Sequence, residues 1–312
     1  MKQYDLSVII PARNEMFLNR TVEEVLGKKQ GKTECIVILD GAWPEVPLPQ
    51  LDDLVVIFHP NSVGQRAAIN EGARLSTAKY IMKLDAHCIL DDGYDVKLIA
   101  TAEELGHNVT QIPLQYNLHA FNWVCKNGHT RYQSPSGPCT TCGSSTTRQI
   151  IWERRLNKKT FAWRFDADLH FQYWGDYEKQ HKNEKYVETM SLLGACFFLD
   201  REWYWELGGS DERHGSWGQQ GTEIACKTWL SGGRLICNRK TWFSHMFRTQ
   251  GGDFSFPYVL KGSDVDKARQ HSKSLWKDGK FEKAIHPLSW LVRKFNPPGW
   301  TEEQIKELEK TT

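Results

Sequence analysis

Two polar residues at the end of an apolar segment have side chains that could bind a divalent cation. Residues 80–88 read YIMKLDAHC, so an apolar run is followed by Asp85 and, two positions later, by His87. Alternate side chains of a β-strand share a face, and this spacing predicts that the carboxylate and the imidazole lie on one side of a sheet. Such a pair at the carboxyl end of a parallel strand suits Mn²⁺ or Mg²⁺, which could also hold a diphosphate. A buried acid beside a core histidine is the alternative for this pattern taken alone.

The first ninety residues predict the elements that would position this pair. Apolar, β-branched runs indicate strands, and apolar residues at helical spacing indicate helices. The predicted order is strand, helix, strand, strand, helix, strand, over residues 5–11, 18–26, 34–40, 55–59, 65–75 and 80–84. This order predicts an α/β fold with a mostly parallel central sheet, in which Asp40 and Asp85 lie at the same edge. The residues predicted to share the apolar face of the second helix are Ala68, Ile69, Gly72 and Leu75.

Four motifs stand out in this region: SVIIPARNE at 7–15, DG at 40–41, NxxGQRAAINxG at 61–72 and DAHC at 85–88. Together they resemble the GT-A fold glycosyltransferases of family 2. DAHC in particular is similar to the polypeptide N-acetylgalactosaminyltransferases. A second block agrees, since residues 189–211, 217–233 and 244–248 resemble that family's TMxGGxFxIDR segment, its WGGENLEIS helix and its GHVFR motif. The resemblance covers about residues 5–110 and 186–250 and implies a GT-A fold.

The resemblance also implies roles for the matching positions. His245 corresponds to the histidine of GHVFR and would complete a Mn²⁺ or Mg²⁺ site with Asp85 and His87. Asp40 would contact the uracil or ribose of a UDP-sugar donor, and Arg66 would lie beside its diphosphate. The other donor contacts that it implies are Pro11, Ala12, Arg13, Glu15, Asp85 and Trp217. A cation at this place would stabilise the charge that develops on the leaving diphosphate.

The chain departs from the family at one position that matters for the chemistry. WGGEN becomes WGQQG at 217–221, so Gln220 stands where the family has a glutamate. An amide cannot act as a general base and can only hydrogen-bond a hydroxyl. Either the enzyme retains configuration and needs no protein base, or a nearby acid takes that role. The candidate acids are Glu223, which aligns with the second acid of the motif, Asp211 and Glu212. Catalytic inactivity is a third explanation, against which the metal triad argues.

A cysteine and histidine cluster lies between the two family-like blocks. Cys125, His129, Cys139 and Cys142 have the spacing of zinc ligands, as two close pairs separated by a loop. Four such ligands predict a closed, structural Zn²⁺ site; three unrelated thiols and a surface histidine are the alternative. The remaining cysteines lie in apolar segments, as reduced core thiols do. With no signal peptide and no run of about twenty apolar residues, we expect a cytoplasmic protein with no membrane contact.

The charge of the chain is unevenly distributed. The formal net charge is only +2, yet residues 120–185 carry 11 Lys/Arg against 6 Asp/Glu, together with 11 aromatic residues. Basic residues among aromatics favour a surface that neutralises phosphates and stacks on bases. The candidate acceptor-binding residues are Trp152, Arg154, Arg155, Lys158, Lys159 and Trp163. A solvated basic face over an aromatic core is the alternative, and aromatics also stack on sugars.

Four segments are predicted from these features. They are a nucleotide-sugar-binding half at 1–114, a zinc-binding insertion at 115–185, an acceptor-side half at 186–255 and a helical extension at 256–312, with helices at 264–277 and 301–310. The acceptor that these features favour is a hydroxymethylated pyrimidine in DNA, as in phage DNA modification. The alternatives are a protein Ser/Thr hydroxyl, a glycan, or a non-catalytic nucleic-acid-binding protein on a degenerate transferase fold.

Overall fold

An eleven-stranded sheet runs through the molecule, and two further strands form a small sheet of their own. The computed structural model describes residues 3–133, 135–215, 217–248, 256, 258 and 261–310. The strands are β1 (Leu6–Ala12), β2 (Thr33–Asp40), β3 (Leu54–His59), β4 (Tyr80–Leu84), β5 (Cys88–Leu90), β6 (Val109–Cys125), β7 (Thr130–Tyr132), β8 (Thr146–Thr160), β9 (Trp163–Phe165), β10 (Phe171–Tyr173), β11 (Tyr186–Glu188), β12 (Cys196–Asp200) and β13 (Arg234–His245). The helices are α1 (Leu18–Lys28), α2 (Gln65–Leu75), α3 (Tyr94–Leu105), α4 (Gly175–Gln180), α5 (Arg201–Glu206), α6 (Gln220–Leu230), α7 (Gly262–Ser272), α8 (Leu288–Phe295) and α9 (Glu302–Lys310).

The large sheet is parallel on one side and mixed on the other. β1 pairs in parallel with β2 and β4, and β2 pairs in parallel with β3. β12 then lies between β4 and β6 in the antiparallel direction, while β13 runs parallel to β6 and antiparallel to β5. The predicted α/β fold is confirmed. The prediction of a mostly parallel sheet is wrong beyond β4, because the reversed strand β12 separates the two parallel groups.

Each of the six elements predicted in the first ninety residues has its counterpart in the structure, as β1, α1, β2, β3, α2 and β4. β1 and β2 are buried along nearly their whole length, which continuous apolar strands inside a parallel sheet require. β3 forms an edge of the sheet and is partly exposed. One side-chain prediction is wrong. Leu75 is 49% exposed, because it is the last residue of α2 and lies beyond the packed part of that helix.

β6 and β8 form a long hairpin that extends beyond the body of the sheet. The first half of β6 pairs with β13, and residues 115–125 pair with β8. The predicted segment boundary at residue 114 falls inside β6. Trp163 and Phe165 belong to the predicted insertion, yet both are fully buried in the main core. The hairpin is therefore continuous with the main sheet, and the division of the chain into four segments stays a prediction.

The carboxyl-terminal helices pack against the body of the molecule. The helices predicted at 264–277 and 301–310 appear as α7, followed by a π-helical turn at Lys273–Lys277, and as α9. α8 packs on α6, where the ring centroids of Phe295 and Trp229 are 5.3 Å apart. Residue 255, where the predicted acceptor-side half ends, lies outside the described residues. Among the helices that the structure describes, none has the length and apolar character that crossing a bilayer requires.

α6 packs closely against the loop that precedes β12. All eleven of its residues are buried. Gly221, the second residue of the helix, lies so near this loop that an added Cβ would be 2.0 Å from the carbonyl oxygen of Leu192. The close approach holds Gln220 at the beginning of α6 beside residues 192–194 of the loop, where both line a cavity.

We expect Gly221→Ala to lower the free energy of unfolding by about 3 kcal/mol, at the upper end for overpacking, because the added methyl group meets backbone rather than a movable side chain. Urea denaturation followed by circular dichroism measures this change. The control is Gly175→Ala in α4, where an added Cβ meets nothing within 4 Å. Equal stability of the two variants would contradict this account of α6.

Candidate active site

Asp85, His87 and His245 converge at the carboxyl edge of the sheet. Asp85 Oδ2 lies 3.2 Å from His245 Nε2, and the Nε2 atoms of the two histidines are 3.1 Å apart. Asp85 Oδ2 and His87 Nε2 are 3.9 Å apart. One carboxylate oxygen and two imidazole nitrogens at these spacings form a face on which one divalent metal ion fits.

Strand pairing, rather than alternation along one strand, brings these residues together. β4 ends at Leu84 and β5 begins at Cys88, so Asp85 and His87 lie in the link between two strands. The predicted placement of the pair on one strand is therefore wrong. His245 is the last residue of β13 and pairs with Cys88, which puts its ring beside that of His87.

Glu15 holds His87 from behind. Glu15 Oε2 lies 3.3 Å from His87 Nδ1, an arrangement that favours a proton on Nδ1 and leaves the Nε2 lone pair directed at the other two groups. The second oxygen of Glu15 accepts a hydrogen bond from Arg248. Glu15 lines the cleft beside the triad, but the residue is only 9% exposed and its carboxylate is already bonded to protein groups. It therefore positions His87 instead of offering a free acceptor to a nucleotide.

The charges at this site keep the carboxylate ionised and a histidine neutral. Burial alone would raise the pKa of Asp85, but the Lys83 ammonium and the hydrogen bond with His245 outweigh burial and hold that pKa far below its usual value. Burial lowers the pKa of His245 to about 4, although the hydrogen bond with Asp85 acts in the opposite direction. At neutral pH the site thus offers an anionic oxygen and a neutral imidazole, which are metal-ligand forms.

A cleft runs from this triad along the ends of β1 and β2. Seven of the eight positions implied as donor contacts line it: Pro11, Ala12, Arg13, Glu15, Asp40, Asp85 and Trp217. Asp40 accepts hydrogen bonds from the Ser62 hydroxyl at 2.7 Å and from the backbone of Val63 and Gly64 at 2.5 and 3.1 Å. It thereby holds the loop from which α2 begins, and that loop forms one wall of the cleft.

Arg66 is the eighth position, and its predicted place beside a diphosphate is wrong. Its side chain is buried on the other side of α2, where Nε lies 2.7 Å from Glu223 Oε2. Its two terminal nitrogens donate to the carbonyl oxygens of Gly215 and Gly218, at 3.0 and 2.7 Å. Arg66 therefore ties α2 to the loop before α6 and does not face the cleft.

Glu223 and Asp211 are also wrong as candidate general bases. Glu223 is completely buried between Arg66 and Lys227, and accepts a hydrogen bond from the backbone of Asp211. Burial would raise its pKa, but these two cations and His214 hold the pKa well below the usual value. The Asp211 carboxylate is bonded to Arg213 and His271, and neither acid lines the cleft. Both acids are structural.

Gln220 is the one predicted catalytic position that faces the triad. It lines a second, more apolar cavity that continues from the cleft past Asp85 and His245 and includes Leu192 and Phe247. Its side chain is 8% exposed, and its Nε2 has no hydrogen-bond partner among the residues that the structure describes. A buried amide without an acceptor is costly, so a ligand hydroxyl at this position would be bound favourably.

Sequence reasoning did not identify two cations at this site. Lys83 contacts Asp85, and the signal was a lysine inside the otherwise apolar strand β4. Arg248 contacts Glu15 and lines both cavities, and it ends the SHMFR motif. That Lys83 would pair with Asp85, and Arg248 with Glu15, could be known only from the fold.

The predicted zinc ligands also come together. Cys125 ends β6, a tight turn follows, and His129 precedes β7, so that Cys125 Sγ lies 3.5 Å from His129 Nδ1. Cys139 Sγ is 3.6 Å from the same nitrogen, and the sulfurs of Cys125 and Cys142 are 3.8 Å apart. Hydrogen bonds from Ser144 and from His129 lower the pKa of Cys142 to about 5. The cluster at the tip of the hairpin thus has thiolate character and metal-ligand spacing.

Of the two predicted stacking tryptophans, Trp163 is fully buried and is therefore wrong as a platform for bases. Trp152 is half-buried and packs on Phe17 with ring centroids 5.2 Å apart, and its role stays a prediction. The basic residues do lie together on β8. Arg154 stacks on Trp242 at 4.0 Å, Arg155 stacks on Tyr132 at 4.7 Å, and Lys158 and Lys159 are exposed. This matches the alternative of a basic face over aromatic side chains.

Known proteins similar to this chain are glycosyltransferases. The model of the family described as glycosyl transferase family 2 matches residues 7–208. Polypeptide N-acetylgalactosaminyltransferase 8 of Drosophila melanogaster is 36% identical over 281 residues, and polypeptide N-acetylgalactosaminyltransferase 3 of Homo sapiens is 27% identical over 287 residues. These alignments cover 84% and 87% of this chain but 41% of each relative, so the chain spans less than half the length of these relatives.

A solved structure has the same fold. The crystal structure of GalNAc-T7 with UDP, GalNAc and Mn²⁺ superimposes with a TM-score of 0.64 at 19% sequence identity. The match covers 99% of this chain and 54% of that one. The predicted GT-A fold is thereby confirmed.

We expect stability to decrease as the pH falls from about 6.5 to 4, because the unfolded chain then binds more protons than the folded one. Burial lowers the pKa of His214 to about 4, the Glu223 charge opposing this shift and that of Arg66 adding to it. His214→Gln should therefore reduce the slope of unfolding free energy against pH by up to about 1.4 kcal/mol per unit. Urea denaturation at pH 7, 6 and 5 measures the slope, with the partly exposed His181→Gln as control. If the slope of unfolding free energy against pH is the same for His214→Gln and the unaltered protein, the lowered pKa of His214 is refuted.

Proposed function

Because the chain belongs to glycosyltransferase family 2, we propose that it transfers an N-acetylhexosamine-type sugar from a UDP-linked donor to the hydroxyl of a protein Ser or Thr. The observation that carries this proposal is the convergence of Asp85, His87 and His245 at the end of a cleft lined by seven positions implied as donor contacts. The names of the relatives favour a protein acceptor over the DNA base that the sequence features favoured. The complete burial of Trp163 also weakens the DNA interpretation.

The donor set of the triad fits Mn²⁺, an ion present with UDP in the solved structure of GalNAc-T7. Asp85, His87 and His245 would hold it, and the bound ion would supply positive charge for the diphosphate as the bond to the sugar breaks. Glu15 keeps the Nε2 lone pair of His87 available through its contact at Nδ1. Arg13 lines the cleft as a further cation for a phosphate-bearing donor.

Gln220 binds rather than deprotonates in this proposal. Its unpartnered Nε2 would donate a hydrogen bond to an oxygen of the sugar or of the acceptor. Asp85 is the only carboxylate among the described residues that line the second cavity, and it serves the metal. With Glu223 and Asp211 bonded elsewhere, the residues of this cavity supply no free general base, which supports transfer with retention of configuration.

The proposal is tested by incubating the protein with a panel of UDP-sugars, Mn²⁺ and two acceptor sets. These are Ser/Thr peptides and oligonucleotides containing hydroxymethylcytosine or hydroxymethyluracil, with the products read by mass spectrometry. We expect sugar on the peptides, its loss in chelator, and a decrease of about a hundredfold or more for Asp85→Asn, since the ion that would stabilise the leaving diphosphate loses the anionic ligand of the triad. The control is Asp92→Asn, a surface carboxylate paired with Lys28.

Sugar on the oligonucleotides alone would reject the protein acceptor. Full activity in chelator or in Asp85→Asn would reject the metal triad. Absence of both transfer and donor hydrolysis in the unaltered protein would favour the non-catalytic alternative.

We also propose that Cys125, His129, Cys139 and Cys142 bind one structural Zn²⁺. Three thiols and an imidazole complete a tetrahedral set without an open position, which suits stabilisation rather than catalysis. The site would fix the tip of the hairpin, where β7 and β8 both pair with β6.

Freshly purified protein should contain about one zinc per chain by elemental analysis when it is prepared without added metal. Cys139→Ser should lose this zinc and unfold at lower temperature, because one of four ligands is missing. The control is Cys35→Ala, which removes a buried thiol outside the cluster and should keep the zinc. Zinc-free protein in which all three cluster thiols react with iodoacetamide would refute the site.

A further inference from the structure

Every carboxylate beside the metal triad already has a cationic or hydrogen-bonding partner inside the protein. Asp85 is bonded through Oδ1 to Lys83, while its Oδ2 faces the two histidines. Glu15, behind His87, is bonded to Arg248. Asp40, the third carboxylate of the cleft, accepts three hydrogen bonds from residues 62–64. The region thus holds three cations, Arg13, Lys83 and Arg248, and three anions, Glu15, Asp40 and Asp85.

Lys83 is the unusual member of this set. It is the fourth of the five residues of β4, its side chain is 1% exposed, and it does not line the cleft. Its ammonium is held between Asp85 Oδ1 and the carbonyl oxygen of Gly194, at 2.6 Å from the latter. Burying a cation is unfavourable unless it is paired, so Lys83 and Asp85 are tied to each other in the absence of any ligand.

This pairing has two consequences for a divalent ion. Because Lys83 occupies Oδ1, Asp85 offers the ion a single oxygen, and bidentate coordination would require breaking the ion pair. Because Lys83 also neutralises the charge of Asp85, the triad presents no net negative charge to a cation that arrives alone. The missing negative charge must come from a ligand in the cleft.

We propose that Lys83 makes metal binding depend on the nucleotide, so that the divalent ion and a nucleoside diphosphate bind with strong positive coupling. The diphosphate supplies the anionic oxygens that the paired carboxylates do not, and by linkage the metal raises diphosphate affinity by the same factor. Lys83 is a positioning residue that acts through Asp85. The inference rests on the proposed metal-dependent transfer. It concerns how the affinity of the same site for the divalent ion changes when the nucleoside diphosphate is bound.

The test is Mn²⁺ binding, measured by the electron paramagnetic resonance signal of free Mn²⁺, with and without saturating UDP. In the unaltered protein we expect UDP to tighten Mn²⁺ binding by at least about tenfold, within the usual range of coupling. Lys83→Met removes the competing charge and frees Oδ1, so Mn²⁺ alone should bind about tenfold more tightly, and the effect of UDP should shrink accordingly. No transfer activity is needed for this readout.

The matched control is Lys227→Met. Lys227 is also a buried lysine in an ion pair, with Glu223 at 2.9 Å, but it does not line the cleft. This variant should be destabilised without any change in the coupling. If Lys83→Met does not fold, Arg248→Gln provides a second test, because loss of the cation on Glu15 should likewise tighten the binding of Mn²⁺ alone.

The outcomes separate the two proposals. Unchanged or weaker binding of Mn²⁺ alone in Lys83→Met, or equal Mn²⁺ affinity of the unaltered protein with and without UDP, would reject the role of Lys83 while leaving the transferase function intact. Failure of the unaltered protein to bind Mn²⁺ even with UDP would reject the metal-dependent function itself.

Discussion

The antiparallel pairing of β13 with β5 is the interaction on which the site depends. It sets His245 opposite Cys88, and so brings together two imidazoles that lie 158 residues apart in the chain. β13 is also paired in parallel with β6 along most of its length, so its carboxyl end is held by the body of the sheet. A shift of this register by one residue would turn His245 to the other face of the sheet, away from Asp85 and His87.

The charged residues around the site fall into two groups with different tasks. Those around the triad are paired, Asp85 with buried Lys83 and Glu15 with Arg248, so that the protein is close to neutral where a cation and a diphosphate would meet. Those between α2 and α6, chiefly Arg66 and Glu223, form a buried ion pair that joins the two helices. A buried pair of this kind adds little net stability, because removing both charges from water offsets their attraction.

Gln220 and the cysteine cluster lie in different parts of the molecule. Gln220 stands at the beginning of α6, which the close approach of Gly221 to the loop at Leu192 keeps against the second cavity. The cysteine cluster lies at the far end of β6, on the part of that strand that has left β13 and pairs with β7 and β8. Its task is therefore separate from the chemistry at the triad.

The sequence by itself determined the order of the first six elements, the metal-ligand chemistry of Asp85 and His87, and the four residues of the cysteine cluster. Strand and helix periodicity is local, and ligand side chains carry their chemistry in their type and spacing. His245 was a candidate only through the resemblance of residues 244–248 to the family's GHVFR motif. The tertiary structure alone decided where other side chains point. Arg66, Glu223 and Asp211 have the right chemistry for the site but are bonded to one another or to neighbours behind it, while Trp163 lies in the core. Composition gives only the number of charged and aromatic side chains. The direction in which each one points depends on the elements that pack around it, as it does for the contact between Lys83 and Asp85.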